Sequence, residues 1–254
     1  MDKLATTNFH KNDNSIKFYE DTHIYIINGK HQLDSVTKIV KNNFSKFDSD
    51  LVIDRMMASS NWVNSKYYGK TRKEIKAMWS KAGSESRELG TRLHNSIECY
   101  YNDVEINDDS KEYSYFLNFV NDYPLLKPYR TEWRVWDLGM KIAGSIDMVF
   151  ENLDGTLSLY DWKRCKSIDV ENTYNKFSTS VYLSHIPDTN FWQYSLQLNL
   201  YKRILEQNYN KTVKDMYLVC FHPNKLNYEL YKVPELTKEL NTMYNSDIDY
   251  FGQY

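Results

Sequence analysis

Cysteine is scarce and, where it occurs, isolated. Cys99, Cys165 and Cys220 stand far apart in sequence, with no second cysteine at C-x-x-C spacing, which suggests neither a disulfide framework nor a cysteine metal site. Reduced, partly buried thiols are the expectation. No stretch approaches the roughly 18 apolar residues of a membrane helix, and the polar opening MDKLATTNFHKNDN has no signal-peptide core. An intracellular chain without membrane association follows as an expectation. An excess of one charge is lacking too. A net charge of −2 and a pI near 6.3 exclude a generally basic nucleic-acid coat but leave room for a local basic groove. Repeats and low-complexity tracts are also absent.

What is present describes a globular chain. Its 254 residues, 41% apolar and 26% charged, suffice for one large domain or a core with an added lobe, and rule out general disorder. The most informative stretch is residues 141 to 164, KIAGSIDMVFENLDGTLSLYDWKR. It reads as two antiparallel strands, the first through Ile142, Ile146, Met148 and Phe150, the second through Leu157, Leu159, Tyr160 and Trp162. Asp154-Gly155 between them is the pair that type I′ hairpin turns favour.

Side chains alternate along a strand, so Asp161 and Lys163 share a face while Trp162 takes the other. Pairing across the turn brings Asp147 towards Asp161. Two carboxylates close together repel unless a cation lies between them. Hard oxygen donors suit Mg²⁺ or Mn²⁺, which can polarise a phosphate and activate water. Lys163 would orient or deprotonate that water, or neutralise developing charge. The alternative is a surface hairpin with an exposed Asp161–Lys163 ion pair worth under about 1 kcal/mol.

Ahead of this stretch, residues 16 to 30 read as a hairpin with Asn28-Gly29 as a turn, and Ser35 or Thr37 caps a following helix. A helical run begins near Ser49. Lys66, Lys70, Arg72, Lys73 and Lys76 interleave with Trp62, Tyr67, Tyr68 and Trp79, a pattern that can stack bases or simply form a solvated helix face. Thr71 and Glu74 form a capping box for a helix that Gly83 would end. In the next helix, Leu89, Leu93, Ile97 and Tyr100 make an apolar stripe. His94 and Glu98 lie one turn apart beside it, either as a metal ligand with a supporting carboxylate or as structural groups.

A helix through Phe116 and Phe119 stops at Pro124, and TEWRVWDLG is a strand paired with the central hairpin. Its Glu132 could reach the site or face Arg134 and solvent. Residues after Lys163 are irregular to about Pro187, either a mobile loop over substrate or a segment holding a short helix. Asp188 or Thr189 then caps NFWQYSLQLNLYKRILEQ, where Gln193, Gln197 and Tyr201 form one ridge beside Leu196, Leu200 and Ile204. VKDMYLVCF and LNYELYKV are strands, and a short amphipathic helix closes the chain.

With SVTKIV at 35 to 40, GTRLHNSIE at 90 to 98, GSID at 144 to 147, YDWK at 160 to 163 and QLNLY at 197 to 201, the chain resembles the PD-(D/E)XK nuclease superfamily over about residues 33 to 221. It is most similar to the RecB-like exonuclease branch that includes the mitochondrial genome maintenance exonuclease and related phage proteins. The resemblance implies an α/β, restriction-endonuclease-like core of order α-β-β-β-α-β, with a mixed sheet flanked by helices. Residues 84 to 254 would form that core and residues 1 to 83 an N-terminal, mostly helical lobe packed on it.

By the same resemblance His94, Asp147 and Asp161 look like metal ligands, with the Trp162 carbonyl as a further oxygen and Lys163 as the catalytic lysine. Gln197 and Tyr201 match the QxxxY motif that supports the site, and Glu98 and Glu132 would stand behind the ligands. The implied cofactor is Mg²⁺ or Mn²⁺, with no iron-sulfur cluster, since relatives that carry one use four cysteines. The implied activity is exonucleolytic cleavage of DNA at single-stranded ends or flaps, alongside replication or recombination proteins. A structure-selective endonuclease and an inactive DNA-binding module are the alternatives.

Overall fold

The computed structural model describes residues 3–250, with side chains to Tyr244. In chain order the elements are α1 (Lys3–Thr7), β1 (Ile16–Tyr19), β2 (Ile24–Ile27), β3 (His31–Ser35), α2 (Val36–Asn42), α3 (Ser49–Ala58), α4 (Arg72–Tyr101), α5 (Lys111–Asp122), β4 (Lys127–Asp137), β5 (Ile142–Glu151), β6 (Leu157–Lys163), α6 (Asn190–Asn208), β7 (Val213–Cys220), β8 (Glu229–Lys232) and α7 (Thr237–Tyr250). They fall into two units, one holding the residues up to Ser45 and from Leu93 on, the other Lys46–Arg92. No described helix is long and apolar enough to cross a membrane.

The larger unit is α/β, with a mixed central sheet flanked by helices. Its strands run β1-β2-β3-β5-β6-β7-β8, with β4 on the other side of β5. β3 pairs with β5 in parallel, as does β6 with β7, and the remaining pairs are antiparallel. One face buries Ile146, Val149, Leu157 and Leu159 against α2 and α6 through Val40, Leu200 and Ile204. The opposite face buries Met148, Phe150, Tyr160 and Trp162 against Leu93, Ile97, Phe116 and Phe119. Apolar burial on both faces is why the middle strands read as nearly continuous hydrophobic runs.

Several local expectations hold. Asn28 and Gly29 both take positive φ between β2 and β3, and the Ser35 hydroxyl accepts the Lys38 N–H to start α2. Others are corrected. The β5–β6 connection is not a type I′ turn: only Gly155 has positive φ, and Gly155 N–H bonds back to the Asn152 carbonyl. That makes a longer loop ending in a left-handed glycine. The division expected between residues 83 and 84 also differs from the observed units. Residues up to Ser45 join the larger unit because Asp34 and Ser35 pair in parallel with Ile142 and Ala143.

In the smaller unit the capping box at Thr71 and Glu74 is present, with the Glu74 carboxylate accepting the Thr71 N–H at 2.7 Å. Gly83 does not end the helix; α4 runs through it to Tyr101, since a helical glycine costs only about 1 kcal/mol relative to alanine. Arg72 pairs with Asp54 and Lys76 with Asp50, so part of the basic cluster is neutralised locally. The Trp79 indole N–H donates to the Tyr67 hydroxyl.

Candidate metal centre

The site forms where the sheet opens. β6 pairs with β5 only over Met148–Glu151, and β3 takes the same edge of β5 at Ile142 and Ala143. Gly144–Asp147 therefore has no strand on that edge among the described residues. β6 continues along β7, with Asp161 opposite Leu218 and Lys163 opposite Cys220. On its β5 side the Trp162 backbone, still paired with Val219 of β7, is held by side chains instead of a strand. Its N–H donates to Asp147 Oδ2 at 2.9 Å, and its carbonyl lies 2.9 Å from His94 Nε2, which donates to it.

That bond fixes the imidazole with Nδ1 turned inward. Nδ1 lies 3.4 Å from Glu132 Oε1 and 3.7 Å from Asp147 Oδ2, and the ligand atoms of His94, Glu132 and Asp147 all fall within 4.8 Å of one another. Glu132 reaches this position through an unusual backbone. It has φ +42° within β4, a left-handed conformation that costs a non-glycine residue on the order of 1 kcal/mol. Such strain concentrates at functional sites. The Ser145 hydroxyl donates to its other oxygen at 2.9 Å.

Asp161 and Lys163 stand beside this group. Asp161 is 2% exposed and its Oδ2 lies 2.5 Å from Lys163 Nζ. Three side chains of α6 meet the site one turn apart. The Tyr194 ring lies under Lys163 Nζ, 4.5 Å from ammonium to ring centre, the Gln197 amide donates to Asp161 Oδ1 at 2.9 Å, and buried Tyr201 packs on β5 at Gly144. A Cβ at Gly144 would stand 2.7 Å from the Tyr201 hydroxyl oxygen and 2.8 Å from a ring carbon. Glycine is required there by proximity rather than by backbone angle.

The electrostatics are those of buried carboxylates short of positive charge. Burial pushes the Asp147 carboxyl up to about 7; His94 and Lys163 oppose the rise, and Asp161 and Glu132 add to it. For His94, burial opposes the imidazolium, but Asp147 and Glu132 outweigh it and carry its pKa up to about 9. Burial likewise opposes the Lys163 ammonium, and Asp161 and Asp147 overcome it, raising its pKa. Glu132 is lowered despite its burial, because His94 hydrogen-bonds to it and attracts it. A divalent cation would relieve the same mutual repulsion.

One imidazole nitrogen with carboxylate oxygens is donor chemistry that Mn²⁺ accepts readily and Mg²⁺ through its oxygens. Of the residues singled out from sequence, His94 and Asp147 lie in the converging group. Asp161, Lys163 and Gln197 form a chain of contacts next to it, and Tyr201 packs on Gly144. The Trp162 carbonyl faces the group but is bonded to His94. Glu132 belongs to the group itself rather than standing behind it. Glu98 lies outside it; its backbone carbonyl accepts from Asn102. Tyr194 went unnoticed in the sequence, although it precedes Gln197 by one helical turn on the same stripe.

No family model matches the chain, and no curated protein matches it. Among solved structures the chain is similar to one titled "Crystal structure of SSO0001", at 16% identity and a TM-score of 0.36, over 86% of this chain and 84% of that one. A likeness this distant carries no argument about fold or activity.

Proposed function

We propose that the chain is a metal-dependent DNA exonuclease of the PD-(D/E)XK type, cutting phosphodiester bonds at single-stranded ends or flaps. The observation that carries this reading is the convergence of His94, Glu132 and Asp147 within 4.8 Å, beside Asp161 and Lys163 paired at 2.5 Å. The restriction-endonuclease-like core is supported by the succession α4, β4, β5, β6, α6, β7, in which α5 is an addition.

His94, Glu132 and Asp147 would hold Mg²⁺ or Mn²⁺, with Asp161 adjoining. Such an ion, when bound, polarises a phosphate oxygen and lowers the pKa of water. The chain's own groups do the rest. Lys163, kept as an ammonium by Asp161 and Asp147, supplies positive charge to the phosphorane-like transition state and is not the proton acceptor. Gln197 fixes the Asp161 carboxylate, and the Tyr194 ring limits where the ammonium can swing. DNA with a free end is the partner this site would take, in the company of replication or recombination proteins inside the cell.

The test is incubation with end-labelled linear and with circular single-stranded DNA, in Mg²⁺, Mn²⁺ or EDTA. Cutting of linear DNA alone, abolished by EDTA, supports the exonuclease. Cutting of the circle makes it an endonuclease. Retention of DNA without cutting under either metal overturns hydrolysis altogether.

A further inference from the structure

Two of the cysteines meet. Cys165 lies just past the end of β6, two residues after Lys163, and Cys220 closes β7 directly opposite Lys163. Their sulfurs are 3.4 Å apart, and the Cys220 thiol donates to the Cys165 carbonyl at 3.0 Å. Phe221 N–H donates to the Lys163 carbonyl at 2.8 Å, so the two strands are still paired where the thiols face each other. Cys220 is fully buried, while Cys165 is partly exposed. One thiol is thus open to a small oxidant, with a second waiting behind it.

We propose that Cys165 and Cys220 form an oxidisable dithiol, a modification site for peroxide that ties the exit of β6 to β7. The chemistry balances in two steps. Peroxide oxidises the Cys165 thiol to a sulfenic acid and leaves as water; the Cys220 sulfur then attacks the sulfenic sulfur, and a second water departs as the disulfide forms. Closing a 3.4 Å contact to a bond of about 2.05 Å requires the chain at Cys165 to move towards β7 by roughly an ångström. The intervening Arg164 is held to Glu112 of α5 by a 2.6 Å bond, so a shift at Cys165 either breaks that bond or twists the backbone at Lys163, whose Nζ must keep its contact with Asp161. A displacement of that size at a reacting group can cost on the order of 100-fold in rate. The bond is also reversible by thiols.

The thiol chemistry stands independently of the hydrolase reading; only its effect on turnover rests on that reading. The full chain, reduced and then treated with hydrogen peroxide, should fall from three free thiols to one. Peptide mapping should recover a Cys165–Cys220 link that dithiothreitol removes. Cys99→Ser should still form the link. Cys165→Ser, at the partly exposed position, should not, and it should keep the cleavage rate of the reduced protein; it guards against a folding defect in Cys220→Ser. Cleavage of labelled single-stranded DNA by the linked protein should be at least about 10-fold slower than by the reduced form. Three free thiols after peroxide, or a Cys165 oxidised to sulfinic acid with no link, would overturn the dithiol. A linked protein cutting at the reduced rate would overturn its control of the site. If the reduced protein cuts nothing while the link still forms, the hydrolase reading fails and the dithiol stands.

Discussion

Asp147 accepts the Trp162 backbone N–H at 2.9 Å, just past the last β5–β6 rung between Met148 and Tyr160. A carboxylate here replaces a backbone carbonyl, and it does so while burial pushes its pKa up to about 7. The bond to the backbone is thus made at the cost of burying a carboxylate. Asp147→Asn keeps an acceptor for the N–H and removes the buried charge, so the metal-free variant should melt higher than wild type at pH 8 while losing cleavage. Asp147→Ala orphans the N–H and should cost about 1–3 kcal/mol. Denaturant unfolding of the pair checks both, and an Asn variant less stable than the Ala one would refute this role.

Gly144 tests the contact that seats α6 on the sheet. A methyl group there meets Tyr201 at 2.7 and 2.8 Å, and Gly144→Ala should destabilise by about 1–3 kcal/mol through overpacking. Adding Tyr201→Leu should recover part of that loss, because the obstructing ring is gone. Strictly additive effects in the double-variant cycle would mean the two do not collide.

Stability of the metal-free protein should fall as pH rises. Their surroundings carry the folded His94 up to about 9 and burial carries Asp147 up to about 7, above their ordinary 6.5 and 3.8, so the folded state binds more protons than the unfolded one. What these groups contribute is complete below the unfolded values and is lost as pH climbs through 7 and then 9. The melting temperature of wild type should therefore drop more between pH 6 and pH 10 than that of His94→Gln. Equal drops would contradict the linkage. Mn²⁺ affinity should run the other way, rising with pH to about 9, because ligands must shed protons to bind.

Much of this was legible in the sequence, and the reasons are local. The alternation of Asp161, Trp162 and Lys163 sorts charge to one face and the indole to the other, and Asn28-Gly29 and Ser35 announce their turn and cap. What stayed hidden depends on distant pairing. Nothing near Asp34 marks it as a parallel partner of Ile142, so the first strands read as a separate lobe. The place of Glu132 beside His94 and Asp147 depends on a φ of +42° that an alternating strand pattern does not foretell. Tyr194 was concealed by its neighbours, since in an aromatic-rich helix one more ring reads as core.

Tyr194 offers a conservative comparison. Its ring, not its hydroxyl, faces the Lys163 ammonium at 4.5 Å. Tyr194→Phe should retain turnover within about 2-fold, and Tyr194→Leu should lower kcat by roughly 5- to 30-fold, as loss of a desolvated cation–π contact of about 1–2 kcal/mol would, with little change in KM. A Phe variant as impaired as the Leu variant would transfer the role to the hydroxyl.

Mn²⁺ binding to the metal-free protein, followed by the electron paramagnetic resonance of the free ion, bears most directly on the metal centre. Wild type should remove Mn²⁺ from solution saturably, His94→Gln and Asp147→Asn should weaken binding at least about 10-fold, and added Mg²⁺ should compete. Equal uptake by wild type and both variants, or none by wild type, would mean that the imidazole and carboxylates gathered at the opening of the sheet hold no ion.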